Sequence, residues 1–193
     1  MRDARGRRTH GTAVKVVVTG PFAAGKTTFV QTISEITVLS TETEVTDETR
    51  ERKTGTTVAM DFGRITVDRD LVLYLFGTPG QERFDFMREV LGEGMLGYVC
   101  LLDGTQEDPA AGGRAILDAF RRMADVPFVV AVNHRDALSD DDVAAVREGL
   151  GVAEGVPVTA VDARDKDSAK AVLLELLHAV LAEVQGRPAA VGG

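Results

Sequence analysis

The sequence predicts an α/β fold in which a mostly parallel six-stranded sheet carries helices on both faces and includes one antiparallel hairpin. From residue 13 onward, short β-branched runs alternate with stretches of helical periodicity, as in parallel sheets covered by helices. The turn at 68–70 between the second and third runs is too short for a parallel crossover, so that pair is antiparallel. A glycine-rich loop also lies between the first predicted strand and the first predicted helix, as in many strand–loop–helix units of α/β proteins.

The elements follow from these runs in chain order. The predicted strands are 14–19, 58–67, 71–76, 97–102, 127–132 and 157–161. Helical periodicity is clearest between Leu173 and Val184, where leucines and valines recur at three- and four-residue steps as one core-facing stripe. Weaker periods occur at 29–36, 84–91 and 116–123, and we expect about five helices in all.

A chain of 193 residues with this pattern has room for one domain, which we place at 13–186. Residues 1–12 include four arginines and predict a disordered basic arm, and 187–193 predict a flexible tail.

Composition excludes several classes of function. No apolar run reaches the roughly 18 residues of a membrane span, so we expect no membrane insertion. A net charge of −8 argues against binding to nucleic acid, because phosphate contacts require clustered lysine and arginine. The single Cys100 lies in an apolar run and predicts a buried core residue in a reducing cytoplasm.

The loop after the first strand matches G-x-x-x-x-G-K-[ST] between a strand and a helix, the pattern of P-loop nucleoside triphosphatases. Glycines let the backbone wrap closely, so that successive N–H groups and the helix N-terminus face phosphate oxygens. Lys26 is expected to reach the β- and γ-phosphates, and the Thr27 hydroxyl to bind Mg²⁺. The predicted phosphate-binding residues are Gly20, Phe22, Ala23, Ala24, Gly25, Lys26, Thr27 and Thr28.

The segment Gly77-Thr-Pro-Gly-Gln-Glu-Arg-Phe84 follows the third strand and resembles switch II of Ras-like GTPases. The resemblance implies that Gly80 senses the γ-phosphate and that Gln81 orients the attacking water. With Lys26, these two residues form the expected catalytic set.

Asn133-His-Arg-Asp136 follows the fifth strand and resembles the guanine-reading Asn-Lys-x-Asp motif, in which Asp136 accepts hydrogen bonds from guanine N1 and N2. Capping of the loop by Asn133 and Asp136 is the alternative. The segment 162–164 stands where Ras-like proteins place Ser-Ala-Lys, whose alanine N–H meets guanine O6. The predicted base-binding residues are Asn133, His134, Asp136, Asp162, Ala163 and Arg164.

The segment 56–62 resembles switch I of the Rab branch. The resemblance makes Thr57 the second protein ligand for Mg²⁺ beside Thr27, with Thr56 as the rival.

Together these motifs resemble bacterial Ras-like GTPases, in particular the GTP-binding proteins of conservon operons and the Mgl-type polarity GTPases. The resemblance rests on segments 20–28, 57–63 and 76–84. It implies GTP and GDP as ligands with Mg²⁺, and a Roadblock-domain protein and a membrane sensor kinase as partners. The expected location is the cytoplasm, peripheral to the membrane through those partners.

Three residues depart from the Ras pattern. Gly77 replaces the aspartate that holds a magnesium-bound water, which predicts weakened support for the ion. His134 replaces the lysine that packs beside the base, and Phe22 replaces a glycine near the γ-phosphate, where its ring would crowd Gln81 or an incoming arginine.

The sequence leaves three functions open. The first is a GTP/GDP switch with slow hydrolysis, for which Arg50, Arg52 or Arg64 could act as an internal arginine finger. The second is a nucleotide-dependent interaction module with little hydrolysis, favoured by Phe22 and Gly77. The third, a P-loop kinase, leaves the Asn133 motif unexplained.

Overall fold

The computed structural model describes residues 12–40, 60–68, 70–79 and 94–186. Within these ranges seven strands form one sheet in the order β2-β3-β4-β1-β5-β6-β7. The strands are β1 (Thr12–Thr19), β2 (Leu39–Ser40), β3 (Asp61–Asp68), β4 (Leu71–Gly77), β5 (Met95–Asp103), β6 (Phe128–Asn133) and β7 (Val158–Val161). The helices are α1 (Lys26–Ile33), α2 (Gly113–Met123), α3 (Asp140–Leu150) and α4 (Lys166–Gly186).

The five neighbouring strands β4, β1, β5, β6 and β7 are parallel, and β3 pairs antiparallel with β4. The predicted α/β fold and its hairpin are confirmed. A seventh strand, β2, adds a second antiparallel pair at the edge of the sheet. Two residues are too few for a periodicity to reveal, which is why the sequence predicts only six strands.

The parallel strands all end at one edge of the sheet, at Thr19, Gly77, Asp103, Asn133 and Val161. The antiparallel β3 begins at that same edge. This edge collects the loops that carry the predicted site, as open α/β sheets do at the carboxyl ends of their strands.

Helices cover both faces. On one face, α1 and α4 pack their apolar residues into a core with β1, β4 and β5. On the other, α2 and α3 pack against β5 and β6. Cys100 on the central strand β5 is fully buried, and burial raises the pKa of its thiol to about 12, so it has the expected structural role.

The prediction of one core-facing stripe on the last helix is wrong for its final turns. Leu173 and Leu176 are buried, whereas Leu181 and Val184 are 53% and 64% exposed. The 21 residues of α4 extend about 31 Å, and the neighbouring six-residue β6 only about 20 Å. The helix is therefore longer than the sheet that it covers, and its last turns have no described strand to pack against.

Several other element bounds differ from the predicted ones. Helix α1 ends at Ile33, so Ile36 lies beyond it and is partly exposed. Helix α3 was not located by periodicity, although Ser139 and Asp142 form a capping box that marks its start. β1 begins at Thr12, one residue inside the predicted arm.

Several predictions fall outside the described residues: the remainder of the basic arm, the tail, the helix at 84–91, and the parts of the two switch segments at 56–59 and 80–84, which include Thr57, Gly80 and Gln81. Across the described ranges, no helix is both long and apolar enough to cross a membrane.

Candidate functional site

The loop between β1 and α1 has a backbone that only glycine permits at two positions. Gly20 has φ +144° and Gly25 has φ +95°. A Cβ at Gly20 would lie 2.0 Å from the Leu101 carbonyl oxygen, and one at Gly25 would lie 2.3 Å from the amide nitrogen of Asn133. The glycines of the motif thus let the loop lie directly on β5 and on the end of β6.

Lys26, the first residue of α1, turns its side chain back over the loop. Its ammonium donates hydrogen bonds to the carbonyl oxygens of Gly20, at 2.9 Å, and Pro21, at 2.5 Å. Burial lowers the pKa of Lys26 to about 8, and the nearby Asp61 carboxylate opposes that shift. The loop thus holds a buried cation whose charge phosphate oxygens would stabilise.

Thr27, the next residue, donates a hydrogen bond from its hydroxyl to Oδ2 of Asp61, at 2.5 Å. Asp61 is the first residue of β3 and is buried. Asp61 is absent from the predicted site residues, because a contact between α1 and the start of β3 cannot be read from the sequence of either element alone. The signal in the sequence was its place within segment 56–62, which resembles switch I.

Asn133, at the end of β6, is fully buried and uses both ends of its amide within the protein. Its Nδ2 donates to the Ala24 carbonyl at 3.0 Å, and its Oδ1 accepts from the Ala163 N–H at 3.0 Å. Three of the predicted segments, at 20–28, 133–136 and 162–164, are therefore joined through one side chain. The Ala163 N–H, which the resemblance directs at guanine O6, is donated to Asn133 in this structure.

The residues after Asn133 form an exposed loop. His134 has φ +62°, and its ring nitrogen lies 3.3 Å from Asn133 Nδ2. Arg135 donates from Nε to the Gly104 carbonyl at 2.9 Å, which fixes the loop to the end of β5. Asp136 is exposed, and no hydrogen bond to its carboxylate is formed by the described residues.

Asp162 and Arg164, both predicted to line the base site, bind each other. Arg164 donates from Nε and a terminal nitrogen to the two Asp162 carboxylate oxygens, at 3.0 and 2.9 Å. These hydrogen bonds lower the pKa of Asp162 to about 2. The pair closes the turn after β7, while Ala163 between them is buried against Asn133.

Phe22 lies at the tip of the loop and is 76% exposed, the highest exposure among the large apolar side chains described. Its neighbour Pro21 packs closely against Gly112. A Cβ added to Gly112 would lie 2.9 Å from the proline ring. Pro21 thus supports the loop from one side, and Phe22 projects from it.

A cavity of about 490 Å³ lies beside this edge, next to Arg135. Its lining includes Glu107, Asp108, Asp142 and Glu148, so four carboxylates surround a single guanidinium. That balance disfavours phosphate, in contrast to the P-loop with its lysine and backbone N–H groups.

The chain matches the model of a family described as "conserved hypothetical ATP binding protein" over residues 38–183, about three quarters of its length. The match begins after the P-loop, so the motif and the family match are separate observations. A curated relative, an uncharacterised protein of Methanocaldococcus jannaschii, is 34% identical over 93 residues, which are 48% of this chain and 53% of the relative. The chain therefore spans about half the length of that relative.

Replacing Asn133 by alanine is expected to lower the free energy of unfolding by about 2–4 kcal/mol, because it leaves the Ala24 carbonyl and the Ala163 N–H buried without partners. Urea denaturation measures the change. The exposed Asp136→Ala variant serves as control and should stay within about 0.5 kcal/mol of wild type. Equal stability of the two variants would show that the amide does not hold the loops.

The lowered pKa of Lys26 predicts proton uptake when phosphate binds, because a bound phosphate raises that pKa well above about 8. At pH 8.5 a nucleoside diphosphate should bind with uptake of about 0.7 proton, and at pH 7 with about 0.1. The phosphates themselves, with pKa near 6, contribute little at pH 8.5. Affinity should therefore fall as the pH rises through 8.

Calorimetry in buffers of different ionisation enthalpy measures this uptake, and Lys26→Arg is the matched control because arginine stays charged at pH 8.5. Binding of the diphosphate by wild type without proton uptake at pH 8.5 would contradict the role given to Lys26.

Proposed function

The chain belongs to the family of conserved hypothetical ATP binding proteins, a P-loop nucleotide-binding family, and we propose that it acts as a GTP/GDP switch with slow, Mg²⁺-dependent hydrolysis. The proposal goes beyond the family description in three respects: the base, the metal and the hydrolysis.

The observation that carries the proposal is the double hydrogen bond of Asn133. It holds the P-loop at Ala24 next to the loop that carries Asp136, so a phosphate-binding segment and a candidate base-binding segment share one edge of the sheet. A nucleotide needs both at once, since its charged and planar ends are recognised by different chemistry. A simple phosphate-binding loop would not need the second segment.

The choice of guanine rests on Asp136. A carboxylate accepts hydrogen bonds only, and guanine presents two donors, N1–H and the N2 amino group, on the same edge. Adenine has an acceptor at N1, so one oxygen of the carboxylate would face the N1 lone pair and would have no hydrogen-bond donor. The exposed carboxylate of Asp136 makes no hydrogen bond to the described residues and is available for this role.

Mg²⁺ fits the residues at the start of α1. The Thr27 hydroxyl donates its hydrogen bond to Asp61, which leaves the oxygen lone pairs free for a hard cation. When bound, the ion would supply charge neutralisation to the phosphates. Thr27 would hold the ion, Lys26 would add a second positive charge, and the N–H groups of the loop would bind phosphate oxygens.

For hydrolysis, the proposed roles are Gly80 as the γ-phosphate sensor and Gln81 as the residue that orients water, both outside the described residues. Of the three candidate internal arginines, only Arg64 is described, and it is exposed on β3, three residues beyond Asp61. That distance from the phosphate edge favours Arg50 or Arg52 for the role of finger.

The second candidate function is a nucleotide-dependent interaction module with little hydrolysis. The exposure of Phe22 favours it, because a projecting ring at the phosphate loop obstructs an arginine supplied by another protein. A Roadblock-domain partner and a membrane sensor kinase, with location at the membrane through them, stay predictions from the resemblance to conservon-type and Mgl-type GTPases.

Competition binding of GTP and ATP tests the base assignment. We expect wild type to prefer GTP, and Asp136→Ala to lose at least about tenfold in GTP affinity, the cost of one to two unpaired polar groups, with little change for ATP. Asp125→Ala removes an exposed carboxylate just before β6, at the opposite edge of the sheet, and serves as control. Wild-type protein that binds ATP as tightly as GTP would reject guanine selectivity and keep only nucleotide binding.

Single-turnover hydrolysis of preloaded GTP separates the switch from the module. We expect an intrinsic rate of about 10⁻⁴ s⁻¹, typical of GTPases without an arginine at the γ-phosphate. Gln81→Leu should abolish most of the rate, with GTP affinity unchanged, because glutamine orients water and does not hold phosphate. Identical rates for wild type and Gln81→Leu, with and without a Roadblock-domain protein, would favour the module.

A further inference from the structure

The end of β4 and the start of β3 meet where the chain lacks an expected acidic residue. Gly77 and Asp61 are direct partners in the antiparallel ladder. A Cβ added to Gly77 would lie 3.1 Å from Asp61 Cβ and 3.2 Å from Asp61 Oδ2. The side chain of Asp61 therefore occupies the space into which a side chain at position 77 would project.

The Asp61 carboxylate points from that space to the P-loop helix. Its Oδ2 accepts a hydrogen bond from the Thr27 hydroxyl, and the residue is only 8% exposed. The same carboxylate is near enough to Lys26 to act on its pKa. A buried carboxylate in water-poor surroundings is costly unless charges and donors compensate for it, and here a hydroxyl, an ammonium and an incoming cation would do so.

We propose that Asp61 is the positioning carboxylate of the metal site, supplied by β3 across the ladder because β4 ends in glycine. Asp61 fixes the Thr27 hydroxyl with its oxygen lone pairs turned to Mg²⁺, and accepts a hydrogen bond from water on the ion. The loss of an aspartate at 77 therefore does not weaken support for the ion. This inference rests on the proposed function, since it needs a metal–nucleotide complex.

The simpler explanation is that Asp61 only joins α1 to β3. A purely structural hydrogen bond would change the stability of the protein but not the amount of Mg²⁺ needed to retain nucleotide. The Mg²⁺ dependence of nucleotide release is therefore the decisive measurement.

The experiment loads full-length protein with fluorescent GDP and measures its dissociation rate over a series of Mg²⁺ concentrations and in EDTA. Asp61→Asn keeps the size of the side chain and removes its charge. We expect it to raise the Mg²⁺ concentration for half-maximal retention about 10–100-fold, the usual effect of removing a residue that orients a metal ligand. Its dissociation rate in EDTA should stay within about twofold of wild type. Asp68→Asn, at the far end of the same strand, is the control and should behave as wild type.

The exchange of the two positions gives a second test. Gly77→Asp alone crowds two carboxylates at one point and should impair Mg²⁺ retention. Adding Asp61→Gly to it returns a single carboxylate to the site from β4. The double variant should need at least tenfold less Mg²⁺ than Asp61→Gly alone.

The outcomes separate this inference from the proposed function. If wild type retains no GDP in Mg²⁺, the proposed function fails. If wild type retains GDP and Asp61→Asn has the same Mg²⁺ dependence, the role of Asp61 fails while nucleotide binding stands. An Asp61→Asn variant that loses GDP equally fast in Mg²⁺ and in EDTA supports the inference, and a loss of thermal stability alone contradicts it.

Discussion

The buried amide of Asn133 sets the relative positions of three loops that are more than 100 residues apart at the extremes, from Ala24 to Ala163. Each of its two hydrogen bonds satisfies a backbone group that would otherwise be buried without a partner. Such a contact is costly to lose and has one geometry, so it specifies where the P-loop lies relative to the loops that follow β6 and β7. The close approach of Gly25 to the same amide shows why the loop must carry glycine at that point.

The charges of the site show how an acidic protein can hold phosphate. The chain has a net charge of −8, and long-range attraction for a nucleotide is therefore absent. The structure concentrates its favourable charge in one buried ammonium, with a pKa lowered to about 8 because burial removes water from it. Burial deprives the Lys26 ammonium of water, and a bound phosphate would replace the lost solvation with direct electrostatic attraction. The poor solvation of the cation in the free protein therefore favours binding of the phosphate.

Asp61 and Gly77 show that the candidate site also depends on the pairing between strands. A glycine at 77 looks like a deficit when β4 is considered alone, yet the space it leaves is filled from β3. Strand register therefore decides what a residue at either position can do: in the proposed metal site the two facing positions act together, and the carboxylate comes from β3 and not from β4.

The sequence by itself determined the fold class, the hairpin, the P-loop with its two required glycines and the buried role of Cys100. These depend on local periodicity and on short motifs, which act over a few residues. Only the tertiary structure decided that the Asn133 amide binds backbone groups, that Asp61 accepts a hydrogen bond from Thr27 and that Arg164 is paired with Asp162. It also decided that the last turns of α4 extend beyond the sheet, although Leu181 and Val184 continue the apolar period. Periodicity tells which side of a helix is apolar, whereas the lengths and registers of distant strands determine which part of that side is covered.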